Sequence, residues 1–159
     1  MNDPSIVKIQ PWEYEYAYHI GIRRFTENWG RNDASYYDRS KMEEDRNAQA
    51  GAALCELAVA KYLNEYWHAS IWRVAAHRSH KHLPDVGKNI EVRRVRTAKG
   101  VTVRKNDRDK RVWGAKIIDP EFRRIQLLGY IEANEALERG KKDIVVVPFQ
   151  YLNKPWETS

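Results

Sequence analysis

The sequence holds one cysteine, Cys55. No disulfide can close within the chain, which makes a reducing compartment, the cytoplasm, the expected setting. No stretch of about 18 consecutive apolar residues occurs, so no membrane-spanning helix and no membrane partner is expected. Residues Met1 to Gln10 lack an apolar core of signal-peptide length, so no export leader is expected. Internal repeats and low-complexity tracts are also missing, which excludes solenoid architectures and compositionally driven disorder. No segment resembles a base-reading helix or a zinc finger, so contact with nucleic acid would run through the phosphate backbone.

What is present is a chain of 159 residues, 42% hydrophobic and 31% charged, long enough to bury a core as a single domain. Its net charge is +6. The surplus is confined to one segment: Met1 to Ser70 is net −3, Ile71 to Arg124 is net +10, and Ile125 to Ser159 is net −1. A basic segment of that size is more than solubility requires and points to a polyanion.

The first 44 residues are rich in aromatics and read as an N-terminal helical extension, with helical spacing over Glu13 to Thr26 and a loop over Asn28 to Ser35. Asn47 to Trp67, rich in alanine and free of proline, reads as the most secure helix. Past it, Ile71 to Ala76 is short and apolar, and Leu83 to Asn89 is a turn by composition. Strand patterns then follow one another: Ile90 to Thr97, Val101 to Lys105, Val112 to Ile118 and Ile125 to Ile131. Ala98 to Gly100 and Asn106 to Lys110 are turns between them. Glu132 to Arg139 is a short helix stopped by Gly140, and Ile144 to Val147 is a last strand closed by Pro148. Strands gathered after helices predict an α+β fold with a mixed or antiparallel sheet. Tyr151 to Ser159 is a tail, either frayed or an arm for a partner subunit.

Glu56 is the first residue with chemical interest. On a helix its neighbours three and four positions away are Ala52, Ala53, Val59 and Ala60, all small and apolar. A carboxylate on such a face needs a cation, a metal or a hydrogen-bond donor. The alternative is a glutamate bent out to solvent or paired with a sheet arginine. Asp85 sits in the turn and Glu91 one residue into the next strand. Two carboxylates meeting at a strand end suit Mg²⁺ or Mn²⁺, which would polarise a phosphoryl oxygen and lower the pKa of a bound water. The alternative is a turn aspartate beside a cross-strand charge pair. Glu91 and Arg93 project to one face of the strand and Arg94 to the other, with Arg96 on the Arg94 side. His77, His80 and His82 lie close together before Asp85; they read as an exposed loop more readily than as zinc ligands, which would need a fourth partner. Cys55 reads as a small core residue.

The helix carrying Gly51-Ala52-Ala53-Leu54-Cys55-Glu56-Leu57-Ala58-Val59-Ala60, then Pro84-Asp85, then Glu91-Val92-Arg93, resembles the PD-(D/E)XK nuclease superfamily. The stretch Val101 to Asp107, followed by Trp113, resembles small phage-encoded proteins with that core. The resemblance covers about Asn47 to Pro148. It implies a restriction-endonuclease-like core of about four to five strands flanked by helices, over residues 45–150. It also implies divalent-metal-dependent hydrolysis of DNA phosphodiester bonds in the cytoplasm of a phage's host, and a homodimer. It places Asp85 and Glu91 on the metal with the Val92 carbonyl, and Glu56 near the same metal directly or through water.

The pattern departs at Arg93, where the superfamily has lysine. Arginine stays protonated and cannot act as a general base, although it can bind phosphate and stabilise a transition state. Lys105 or Lys88 would then supply the ammonium. The residues expected to reach the phosphate backbone are Arg94, Arg96, Lys99, Arg104, Arg108, Lys110 and Arg111. Two other functions fit the same sequence: a catalytically silent nucleic-acid-binding protein, and a phage protein that binds and inhibits a host protein through its aromatic N-terminal residues.

Overall fold

The computed structural model describes residues 3–28, 42–71, 83–96, 99–140 and 143–157. The expectations for the loop after Asn28, for 72–76 and for His77, His80 and His82 lie outside these residues. The chain is α+β. Strand β1 (Ile6–Lys8) leads into helix α1 (Pro11–Asn28) and helix α2 (Met42–Leu63). Strands β2 (Ile90–Arg94), β3 (Gly100–Arg104), β4 (Arg111–Ile117) and β5 (Arg124–Glu132) follow, then helix α3 (Ala133–Gly140) and strand β6 (Ile144–Pro148). Each element expected from periodicity is present. The boundaries move by a few residues, most at α2, which begins at Met42 rather than Asn47 and ends at Leu63 rather than Trp67.

The strands form a mixed four-stranded sheet in the order β1-β5-β4-β2 and a separate two-stranded sheet of β3 and β6. β4 pairs antiparallel with β5 and parallel with β2, and β1 closes the other edge antiparallel to β5. β2 and β3, although consecutive, lie in different sheets. β3 leaves the main sheet to pair with β6, and β4 returns beside β2 in the same direction.

Two apolar clusters cover the two faces of the main sheet. Val92, Trp113, Ala115, Ile125 and Leu127 pack with Val7, Ala17, Ile20 and the apolar residues of α2. Val112 and Ile131 pack with Val101, Val103, Leu137 and Val147 on the other side. Alternation along β5 would place Ile125, Leu127 and Ile131 on one face. An irregularity between Gly114 and Ala115, where the partner jumps from Gly129 to Leu127, changes the parity and turns Ile131 to the second cluster. Gly129 takes φ +117 there, a conformation that side chains rarely adopt.

Helix α2 lies between α1 and the sheet, and it is buried nearly all round, including Ala53, Leu54, Cys55, Glu56, Ala58 and Val59. Cys55 is a fully buried core residue whose thiol is pushed up to about 12 by burial. The tail folds back on its own chain, where the Trp156 ring packs near Tyr62 and Trp113. Among the described residues, no helix is long and apolar enough to cross a membrane.

Candidate functional site

Glu56 of α2 and Glu91 of β2 both lie within electrostatic range of Asp85, in the turn before β2. Glu56 is buried, with small residues around it on α2 that let α1 and the sheet come close. Its partner is Arg24 of α1, which reaches across to form a two-pronged ion pair, Nη1 to Oε2 at 2.8 Å and Nη2 to Oε1 at 2.9 Å. The Trp67 indole N–H also donates to Oε1 at 3.1 Å, and Arg24 Nε donates to the Ser70 carbonyl at 2.7 Å. Burial pushes the Arg24 pKa down, but the charge and hydrogen bonds of Glu56 outweigh it and the net shift is upward. Arg24 therefore stays charged in the core, where the geometry of its contact with Glu56 has to offset desolvation.

Asp85 stands in the tight turn that enters β2. The turn is set by backbone bonds from Asp85 and Val86 N–H to the Ile90 carbonyl, with Gly87 at φ +58. Among the described residues the carboxylate accepts one hydrogen bond, from Val92 N–H to Oδ2 at 2.9 Å, and it has no ion pair. Asp85 is half-exposed as a residue, but its carboxyl is packed deep enough for desolvation to be the main cause of a strongly raised pKa. Repulsion from Glu56 and Glu91 adds to it, while the Val92 N–H and Arg24 act in the opposite sense.

Glu91 lies one strand residue beyond the turn and is also raised by burial. Lys110, from the turn before β4, donates to its Oε1 at 3.1 Å, and Arg93 Nη1 approaches Oε2 at 3.4 Å. The main partner of Arg93 is Asp107, whose two oxygens both lie 2.6 Å from Nη2. Asp107 is buried in a 3₁₀ turn and also accepts from Arg104 N–H at 2.8 Å. Desolvation pushes Arg93 down, but Asp107 and Glu91 together leave it raised.

The fold thus brings together Glu56, Asp85, Glu91 and Arg93, and adds Lys110, which the sequence pattern assigned to phosphate contact. Lys105 stands exposed at the head of the 3₁₀ turn, and among the described residues no hydrogen bond joins its side chain to the carboxylates. Lys88 is exposed on the turn. Of the other basic residues, Arg96, Lys99, Arg104 and Arg108 are exposed. Arg111 is paired with Glu132 at 2.7 Å and lies over the Tyr130 ring. Arg94 lies on the opposite face of β2 from Arg93, against α2 and Phe122.

Sequence reasoning missed Arg24, Trp67 and Asp107. Arg24 carried a readable signal, since it follows Ala17 by seven residues and Ile20 by four and so interrupts the apolar stripe of α1. Asp107 carried none, because it is one charge among many in a charged turn.

Among the described residues, no three His, Cys, Asp or Glu side chains are placed to hold a metal ion by themselves. Glu56 has both oxygens committed to Arg24 and Trp67. Asp85 and Glu91 offer two carboxylates, which is the number Mg²⁺ commonly takes from a protein when water and substrate phosphate complete its shell. Comparison with protein-family models, with curated proteins and with solved structures gave no match.

Proposed function

We propose that this chain is a divalent-metal-dependent nuclease that hydrolyses DNA phosphodiester bonds, with Asp85 and Glu91 as the metal ligands. The observation that carries the reading is the state of Asp85. Its carboxyl is desolvated, faces two other carboxylates and has no cation of its own among the described residues. A divalent cation between Asp85 and Glu91 would remove both penalties at once. Bound there, Mg²⁺ or Mn²⁺ would polarise a phosphoryl oxygen and lower the pKa of a water.

The chain's own residues have distinct parts in this reading. Arg24 fixes Glu56, whose charge keeps the neighbourhood of Asp85 negative. Lys110 holds the Glu91 carboxylate from one side and brings a positive charge to where phosphate would approach. Arg93 is tied to Asp107 and remains protonated, so it stabilises charge and does not take up a proton. Exposed Arg96, Lys99, Arg104, Lys105 and Arg108 would follow the phosphate backbone.

A second reading is a catalytically silent DNA-binding protein with the same basic surface. It is favoured by the side chains already on Glu91, since Lys110 and Arg93 occupy one oxygen each. Cleavage of single-stranded, double-stranded and branched DNA in Mg²⁺ or Mn²⁺ separates the two. The nuclease cuts at least one of them, and Asp85→Asn and Glu91→Gln each abolish cutting while DNA binding persists. Salt-sensitive binding with no cleavage of any substrate overturns the nuclease in favour of the second reading.

A further inference from the structure

We propose that Arg94 and Lys116 form an anion pocket, separate from the carboxylate site, that takes one phosphate group of a nucleic-acid strand. The identity of the strand rests on the reading above, whereas the anion site stands on its own geometry. An open-sided pocket of about 460 Å³ lies at the end of β2 and β4, bordered by Arg94, Lys116, Ile117, Ile118, Asp119 and Phe122. Arg94 is the unusual member. Its Nε is shielded from solvent and has no hydrogen-bond partner, and among the described residues no carboxylate pairs with its guanidinium. A shielded donor without an acceptor is costly.

The surroundings hold the guanidinium in place without satisfying it. It lies against α2 at Gly51, where a Cβ would overlap it, and 5.6 Å from the centre of the Phe122 ring. Burial and the nearby charge of Arg96 both lower its pKa, and both are relieved by an anion. Asp119 is the one acid on the border, and its oxygens are spent inside the turn on the backbone N–H groups of Arg123 and Arg124. Lys116 is exposed on β4 and lines the same opening. A planar guanidinium with unused donors, an ammonium and an aromatic ring match a phosphate that carries a base or sugar beside it.

The test is amide chemical-shift mapping of the full-length protein during titration with inorganic phosphate, and with a short DNA oligonucleotide with and without a 5′-phosphate. Phosphate is expected to shift the amides of Arg94 and of residues 116–119. Lys116→Ala, a surface change, and Arg94→Gln are each expected to weaken binding about tenfold or more, with Arg94→Lys in between. Asp85→Asn is expected to leave phosphate binding at Arg94 unchanged, which keeps this result independent of cleavage. Tighter binding of either oligonucleotide than of free phosphate supports a strand as the source, and equal binding of all three overturns it. Phosphate that leaves these amides unmoved, or variants that bind as well as wild type, overturns the pocket itself.

Discussion

Burial and two neighbouring carboxylates all oppose a negative charge on Asp85. Asp85 and Glu91 both titrate above their ordinary values of 3.8 and 4.5. The folded chain therefore holds these protons more tightly than the unfolded chain does. Between the ordinary and the raised values stability falls as pH rises, and above the raised values the contribution is lost. Asp85→Asn removes the larger part of that slope, and its amide oxygen can still accept from Val92 N–H. The variant is expected to have a higher urea midpoint than wild type at pH 7 with an unchanged m-value, and to lose the advantage towards pH 4. A lower midpoint at pH 7 would show that the carboxylate is satisfied as it stands. Such a gain in stability at the expense of activity is the usual mark of a functional carboxylate.

At the scale of elements, the contact of α1 with α2 decides whether Glu56 is presented to Asp85 at all. Two features fix it. A Cβ on Gly21 would overlap the backbone of Ala50, so the helices touch at a point where only glycine fits. The Arg24–Glu56 pair then bolts them together. Gly21→Ala is expected to cost about 1–3 kcal/mol in chemical denaturation by overpacking. Glu56→Ala removes the carboxylate that faces the buried Arg24 guanidinium and is expected to cost about 3–5 kcal/mol. The double variant Arg24→Met with Glu56→Leu should be less destabilised than Glu56→Ala, because it removes both charges and keeps volume. Equal losses in the two would place the stability of the pair in packing alone.

The helices and most strands were legible because each is long enough to show a period: α2 through its alanines, β2 and β3 through alternation. β1 has three residues, too few for any period, and is held by pairing with β5 far along the chain. Nothing local tells β3 to leave its neighbours for β6, because that choice depends on burying Val101 and Val103 against Val147 and Leu137. The acidic part of the site was legible for the opposite reason. Glu56 sits among small apolar residues and Asp85 in a marked turn, so each stands out locally. Its cations were less so. Arg24 and Lys110 come from segments far from their partners, and only the assembled fold pairs them.

For the molecule as a whole, the described basic residues of the middle segment include two contrasting sets. Arg93, Lys110 and Arg111 are spent on internal carboxylates. Arg96, Lys99, Arg104, Lys105 and Arg108 are exposed and available to a polyanion. If those five carry the backbone contacts, the logarithm of DNA affinity should fall with the logarithm of salt concentration with a slope no steeper than about −5. A steeper slope would bring further cations of the segment, such as Lys88, Arg94, Lys116 and Arg124, into the contact. Near Asp85 and Glu91, phosphate would meet a carboxylate pair that repels it unless a cation intervened. Thermal unfolding of wild type and Asp85→Asn at pH 7, with and without Mn²⁺, tests that cation most directly. With Mn²⁺ held by Asp85 and Glu91, a 100-fold excess over its dissociation constant should raise the wild-type midpoint by roughly 5–10 °C and leave the variant unchanged. Equal shifts in both proteins, or none in either, would contradict a metal site at Asp85.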